Sequence, residues 1–135
     1  MTTKIFVNLP VKDLKKSIEF YKKLGFSINP QFTDETGACV VISDDIYVML
    51  LTGAKFKGFT KKSIADSRTT VEAINAISVN SKQEVDKMHK KVLSAGGKEA
   101  REPQDYGFMY GRTFEDLDGH IWEVFWMDES RKPQQ

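Results

Sequence analysis

"FEDLDGHIWEVFW", Phe114 to Trp126, is a tight acidic turn feeding an apolar run. Asp118-Gly119 is a pair that turns readily, and Ile121 to Trp126 is rich in the branched and aromatic residues that suit strands. Side chains of an extended segment alternate, so Ile121, Glu123 and Phe125 share one face and Trp122, Val124 and Trp126 the other. His120 and Glu123, three apart, fall on opposite sides, which sends His120 to the outer turn. The two cannot grip one ion together, so the local pair is not a metal motif.

Around this stretch the chain is organised as a repeat. Upstream of the turn, "YGFMYGRTFE" and "KEARE" read as two further strands. "AINAISV" is a strand before them, and Ser81 with Glu84 forms a capping box that opens a helix. Val85, Met88, Val92 and Ala95 form its apolar stripe, and Gly96-Gly97 closes it. The first half runs in the same order. Lys4 to Leu9 is a strand ended by Pro10, and Asp13 caps a helix with Leu14, Ile18, Tyr21 and Leu24 at helical spacing. Lys15 and Lys16 oppose the helix dipole, so this helix depends on its packed stripe. Gly25 ends it, and "FSINPQF", "ACVVIS" and "IYVMLLT" are strands separated by "DETG" and "SDD". Each half is βαβββ, and a period of half the chain is the most informative feature of the sequence.

The fold class is therefore α+β, with two βαβββ modules. Module one takes about residues 1–52, a basic connector about 53–71 and module two about 72–128. Together they form a single domain, 1–128, with a frayed tail at 129–135. The connector "GAKFKGFTKKSIADSRTTV" holds five basic residues against one acidic one. It is either a solvated crossing segment pinned by Phe56 and Phe59, or a basic lid over an anionic ligand.

Twenty basic residues against nineteen acidic leave a net charge of +1 over 135 residues, which gives no broad electrostatic case for nucleic acid or an anionic membrane. No apolar run approaches the roughly 20 residues that cross a bilayer, and "MTTKIFVNLPV" lacks the apolar stretch of a signal peptide. A cytoplasmic protein is the expectation. The one cysteine, Cys39 in "GACVVI", has no partner for an intramolecular disulfide and reads as a small buried apolar residue.

The two modules, "VKDLKKSIEFYKKLGF" and "FEDLDGHIWEVFW" together resemble the vicinal oxygen chelate superfamily, which includes glyoxalase I, extradiol dioxygenases and bleomycin-resistance proteins. The likeness covers about residues 4 to 127 and is greatest to the bacterial group of lactoylglutathione lyase-like proteins. It implies a cup-shaped half-barrel cavity between two open sheets, with helices outside, and a homodimer. In metal-dependent relatives four strands of the cup each give one ligand, generally His or Gln, Glu, His and Glu. An ion so held polarises two adjacent substrate oxygens.

Carried over residue by residue, the last ligand position is Glu123, the first Phe6, the second near Leu50 and the third Ile74. Three of these four have no lone pair to offer. Shifting by one residue brings in Met49 and Asn75, a soft ligand and a weak one. The usual chelate is therefore not expected, and no cofactor with it. A divalent metal held irregularly by Asn8, Glu72 and Glu123 is the alternative. His89, on the second helix, and His120 read as surface or capping residues.

The expected pocket is apolar, lined by Phe6, Leu50 and Ile74 around Glu123, with Asn8 as a neutral polar contact. Phe108, Tyr110, Arg112 and Phe114 share one face of a regular strand. If that face is inward, Tyr110 and Arg112 join the pocket, and Arg112 clamps a carboxylate or pairs with Glu123; the outer face is the equal alternative. Gly107 and Gly111 permit close approach at the edge. The function implied is a glyoxalase/bleomycin-resistance-like protein that binds a small-molecule ligand. The alternative is a lyase or dioxygenase-like enzyme, with Glu123 as general base or with an atypical metal site.

Overall fold

The computed structural model describes residues 2–130. The chain divides into two compact units, Met1–Thr70 and Val71–Gln135, each with one four-stranded sheet. The expected α+β class with two βαβββ modules is what the structure has. The connector is counted with the first unit, and the fraying expected beyond residue 130 lies outside the described residues.

In the first unit, β1 (Ile5–Val11) leads to α1 (Leu14–Lys23), then β2 (Ser27–Asn29), β3 (Gly37–Val41) and β4 (Ile46–Thr52). The Asp13 carboxylate caps α1 by accepting from the Lys16 N–H at 3.1 Å, and Gly25 leaves it at φ 104°, a left-handed conformation that glycine adopts without strain. The strand order is β1-β4-β3-β2, with β1 parallel to β4 and the other pairs antiparallel. β2 is shorter than "FSINPQF" suggests. Pro30 starts a 3-10 turn, Pro30–Phe32, and the Asn29 side chain caps it. The connector begins with the short helix α2 (Gly53–Lys57).

One face of this sheet is the core. Leu9, Val11, Ala38, Val40, Val48 and Leu50 alternate along β1, β3 and β4 and are all buried, as are Phe20, Tyr21 and Leu24 at the end of α1, which packs on β3 and β4. Burying each large side chain contributes on the order of 1.5–3 kcal/mol. The buried residues of the helix are Ser17, Phe20 and the expected Tyr21, with Leu14 and Ile18 less deeply placed.

The second unit repeats the plan: β5 (Ile74–Ser78), α3 (Lys82–Ser94), β6 (Lys98–Asp105), β7 (Met109–Glu115) and β8 (Ile121–Met127), in the order β5-β8-β7-β6. Ser81 Oγ accepts from the Glu84 N–H at 3.1 Å, while the Glu84 carboxylate reaches back to the Asn80 N–H at 2.7 Å. Here α3 packs on β6, β7 and β8, over Phe114, Trp122 and Val124. The buried residues of α3 are Val85, His89 and Val92. His89 takes the place expected of Met88, so it is a core residue and not a surface one.

Among the described residues no helix is long and apolar enough to cross a membrane.

Candidate functional site

Each sheet has one face under its long helix and an opposite face, open in part, which in the first unit is exposed at Phe6 and Asn8 but buried at Cys39 and Leu51; strand register assigns every candidate residue to one or the other. In the first unit Phe6 pairs with Tyr47, Asn8 with Met49 and Leu9 with Leu50. Phe6, Asn8, Tyr47 and Met49 therefore share the open face, where the rings of Phe6 and Tyr47 stack with centroids 4.7 Å apart. Phe6 remains 45% exposed. Asn8 turns its amide onto the Phe6 carbonyl oxygen at 3.2 Å. Leu50 is fully buried on the opposite face, so its expected place beside Phe6 is corrected: that position belongs to Met49.

The repeat supports the correction. Five residues before the caps Asp13 and Ser81 stand Asn8 and Ala76, which pair with Met49 on β4 and Glu123 on β8. Met49 thus occupies in the first unit the place of Glu123 in the second.

In the second unit Glu123 lies opposite Thr113 on β7 and beside Ala76 on β5. Ile74, Ile121 and Phe125 share its face, Ile74 with 60% exposure. The carboxylate leans along the strand toward Gly111: a Cβ built there would lie 3.4 Å from Glu123 Oε2 and 3.3 Å from the Phe125 Cβ. The bare backbone of Gly111 is what leaves room for that close approach.

Tyr110 and Arg112 are not on this face. Arg112 pairs with Val124 and Tyr110 with Trp126, and both reach toward α3. The Tyr110 hydroxyl donates to Asp86 Oδ1 at 2.6 Å. Arg112 donates to Asp86 Oδ1 at 3.2 Å and to Glu99 Oε1 at 3.1 Å. The hydrogen bond to Asp86 holds the Tyr110 phenol above its usual range, with burial adding to it. This cluster ties α3 to β6 and β7, so of the two equal alternatives for Arg112 the structure has the outer face, and Tyr110 and Arg112 do not join the pocket. Sequence already carried the signal. Counting back from the turn pairs Glu115 with Ile121, hence Thr113 with Glu123 and Arg112 with Val124. Thr113 and Tyr47 are the face residues that sequence reasoning missed, and Met49 entered it only as a shift of one residue from Leu50.

The two tryptophans, on the face opposite Glu123, point toward α3: Trp122 stacks with Phe114 at 6.5 Å, and Lys82, the first residue of α3, lies over the Trp126 ring. His120 is buried rather than on the surface, and its backbone N–H donates to the Asp116 carboxylate that caps the turn at 2.9 Å. Cys39 is fully buried, and burial pushes its thiol up.

The positions that the resemblance assigns to ligands carry Phe6 and Met49 in the first unit and Ile74 and Glu123 in the second, one charged oxygen donor among them. A zinc-type catalytic site takes three protein ligands of the His, Cys or carboxylate kind, and this donor set does not fit one. Among the described residues no three His, Cys, Asp or Glu side chains gather where they would hold an ion.

Residues 5–124 match the Glyoxalase/Bleomycin resistance protein/Dioxygenase superfamily. Among solved structures, a hypothetical protein from S. aureus is 35% identical over 93% of this chain and 94% of that one, with a TM-score of 0.78. A glyoxalase-related enzyme from Fulvimarina pelagi is 20% identical over 93% and 88% of the two chains, TM-score 0.78. The fosfomycin resistance protein FosX from Mesorhizobium loti is 14% identical over 96% of each, TM-score 0.70. These last two share the fold. No curated protein matches the chain by sequence.

Proposed function

The chain belongs to the glyoxalase/bleomycin resistance protein/dioxygenase superfamily, and on that premise we propose that it is a small-molecule-binding protein that works without the family's chelated ion. The supporting observation is the chemistry of the open faces. Phe6 and Met49 stand on one and Ile74 on the other, so side chains without a hard donor occupy three of four chelating positions. Such faces suit the apolar body of a guest, with Glu123 as the polar anchor. A homodimer acting on a small compound in the cytoplasm completes the reading, in the manner of family members that sequester a drug.

Elemental analysis of protein purified without a metal-affinity tag tests the first part. The expected result is substoichiometric Zn, Ni, Mn and Fe. One ion per chain, lost in Glu123→Ala, would overturn the reading in favour of a metal-dependent lyase or dioxygenase-like enzyme. Ligand screening should use thermal shift, because both tryptophans lie on the α3 side of the sheet and neither is on the Glu123 face. A ligand at a hundred times its Kd adds about 2.7 kcal/mol of stability, a shift of several degrees.

A further inference from the structure

We infer that the Glu123 face of the second unit takes a protonated amine or amidine carried on an apolar body, with Thr113 as its second contact. The inference rests on the binding reading and specifies the guest. Glu123 and Thr113 are cross-strand neighbours, a position in which side chains lie about 5 Å apart. Glu123 is half-buried and Thr113 only 8% exposed, and among the described residues neither side chain has a hydrogen-bond or ion-pair partner. An ionised carboxylate only accepts, so the guest must bring the donors. An ammonium or amidinium brings several, enough to reach both the carboxylate and the Thr113 hydroxyl. Bonds between charged partners are roughly twice as strong as neutral ones.

The frame around the pair selects the rest of the guest. Ile121 and Phe125 flank Glu123 on its strand, and Ala76 beside it presents only a methyl group. Gly111 leaves the carboxylate unobstructed on its side of the sheet, and the row of Ile121 and Phe125 offers hydrocarbon to the body of the guest. Arg101, which pairs with Thr113 on β6, is the cation in register with this row. It is exposed and makes no ion pair among the described residues, so Glu123 is not already neutralised.

The test is a set of matched probes, benzamidine, benzamide and benzoate, with 2-phenylethylamine and hexylamine, titrated into 15N-labelled protein. The expected result is that the three cations shift the amides of Gly111, Thr113 and Glu123. Benzamide and benzoate should bind about tenfold more weakly or worse, and Glu123→Gln should raise the cation Kd about tenfold. Thr113→Val should raise it about threefold, with the rest of the spectrum of each variant unchanged. The proposal is overturned if benzamide or benzoate binds as well as benzamidine, if the cations shift only other residues or none, or if Glu123→Gln binds them equally. A wider library separates this failure from that of the binding reading. Neutral or anionic compounds that shift this face, where cations do not, remove the charge assignment and leave a binder; silence toward every charge class removes both.

Discussion

His89 sits within the second unit with 2% exposure, its Nε2 3.6 Å from a Glu99 oxygen that already holds Arg112. Burial lowers its pKa below the usual imidazole value and the nearby Arg112 adds to this, against the opposing pull of Glu99 and Asp86. A base with a depressed folded pKa binds its proton more readily when unfolded. Stability from the neutral ring is therefore full above the unfolded pKa and is lost as pH falls below it toward the folded value. Urea denaturation at several pH values should show this slope, at most about 1.4 kcal/mol per pH unit, and His89→Met should flatten it. An unchanged slope in that variant would place the titration elsewhere. Arg112→Ala should cost about 1 kcal/mol, since both of its carboxylates are nearly half exposed, and should leave affinity for a guest of the Glu123 face intact. A loss of affinity at unchanged stability would return Arg112 to the site. Sequence grouped Tyr110 and Arg112 correctly on one face, but alternation along a single strand does not label its faces, and only counting across the turn to Glu123 does so. Leu50 failed for a related reason: in "YVMLL" both alternating sets are apolar, so the core set and the open set look alike.

Helices and most strands were legible because each carried punctuation as well as periodicity. Asp13 and Ser81 cap, and Gly25 and Gly96 stop, at the positions the residues imply. Ser81→Ala should lower stability by about 1 kcal/mol. Gly96→Ala should cost at least about 1–2 kcal/mol, since the residue has φ 103° and a Cβ there would meet Leu117 at 3.2 Å. Thermal unfolding measures both, and equal Tm values for wild type and Gly96→Ala would contradict the strained geometry. β2 was misjudged in length because its apolar residues continue past Pro30, where the backbone leaves the ladder. In α3 the burial of His89 was hidden by its polarity: a stripe built from apolar residues passes over a histidine that packs as one.

The described residues form two sheets of one topology, and in each the strand joining the parallel pair to the antiparallel part is the last of its unit, β4 or β8. These two strands are hydrogen-bonded on both sides, while β2 and β6 lie at edges. Amide hydrogen exchange should therefore be slowest in Val48–Leu50 and Trp122–Val124 and fast along β2 and β6. Equal protection at the edges would indicate that something covers them. The half-length repeat made this plan visible in the sequence, since like order of elements implies like pairing. The repeat carried no information on which face of each sheet is open, and the site depended on that choice.

β8 divides its seven residues by parity: Ile121, Glu123 and Phe125 look away from α3 and, on the proposed function, face the guest, while Trp122 and Val124 look toward the helix. Variation is thereby sorted by parity. A randomised library at 121, 123 and 125 should yield mostly folded proteins with altered preferences, whereas one at 122, 124 and 126 should yield few soluble clones. A lineage built this way can exchange one guest for another by drifting on odd positions, without renegotiating the contacts that hold the sheet to its helix.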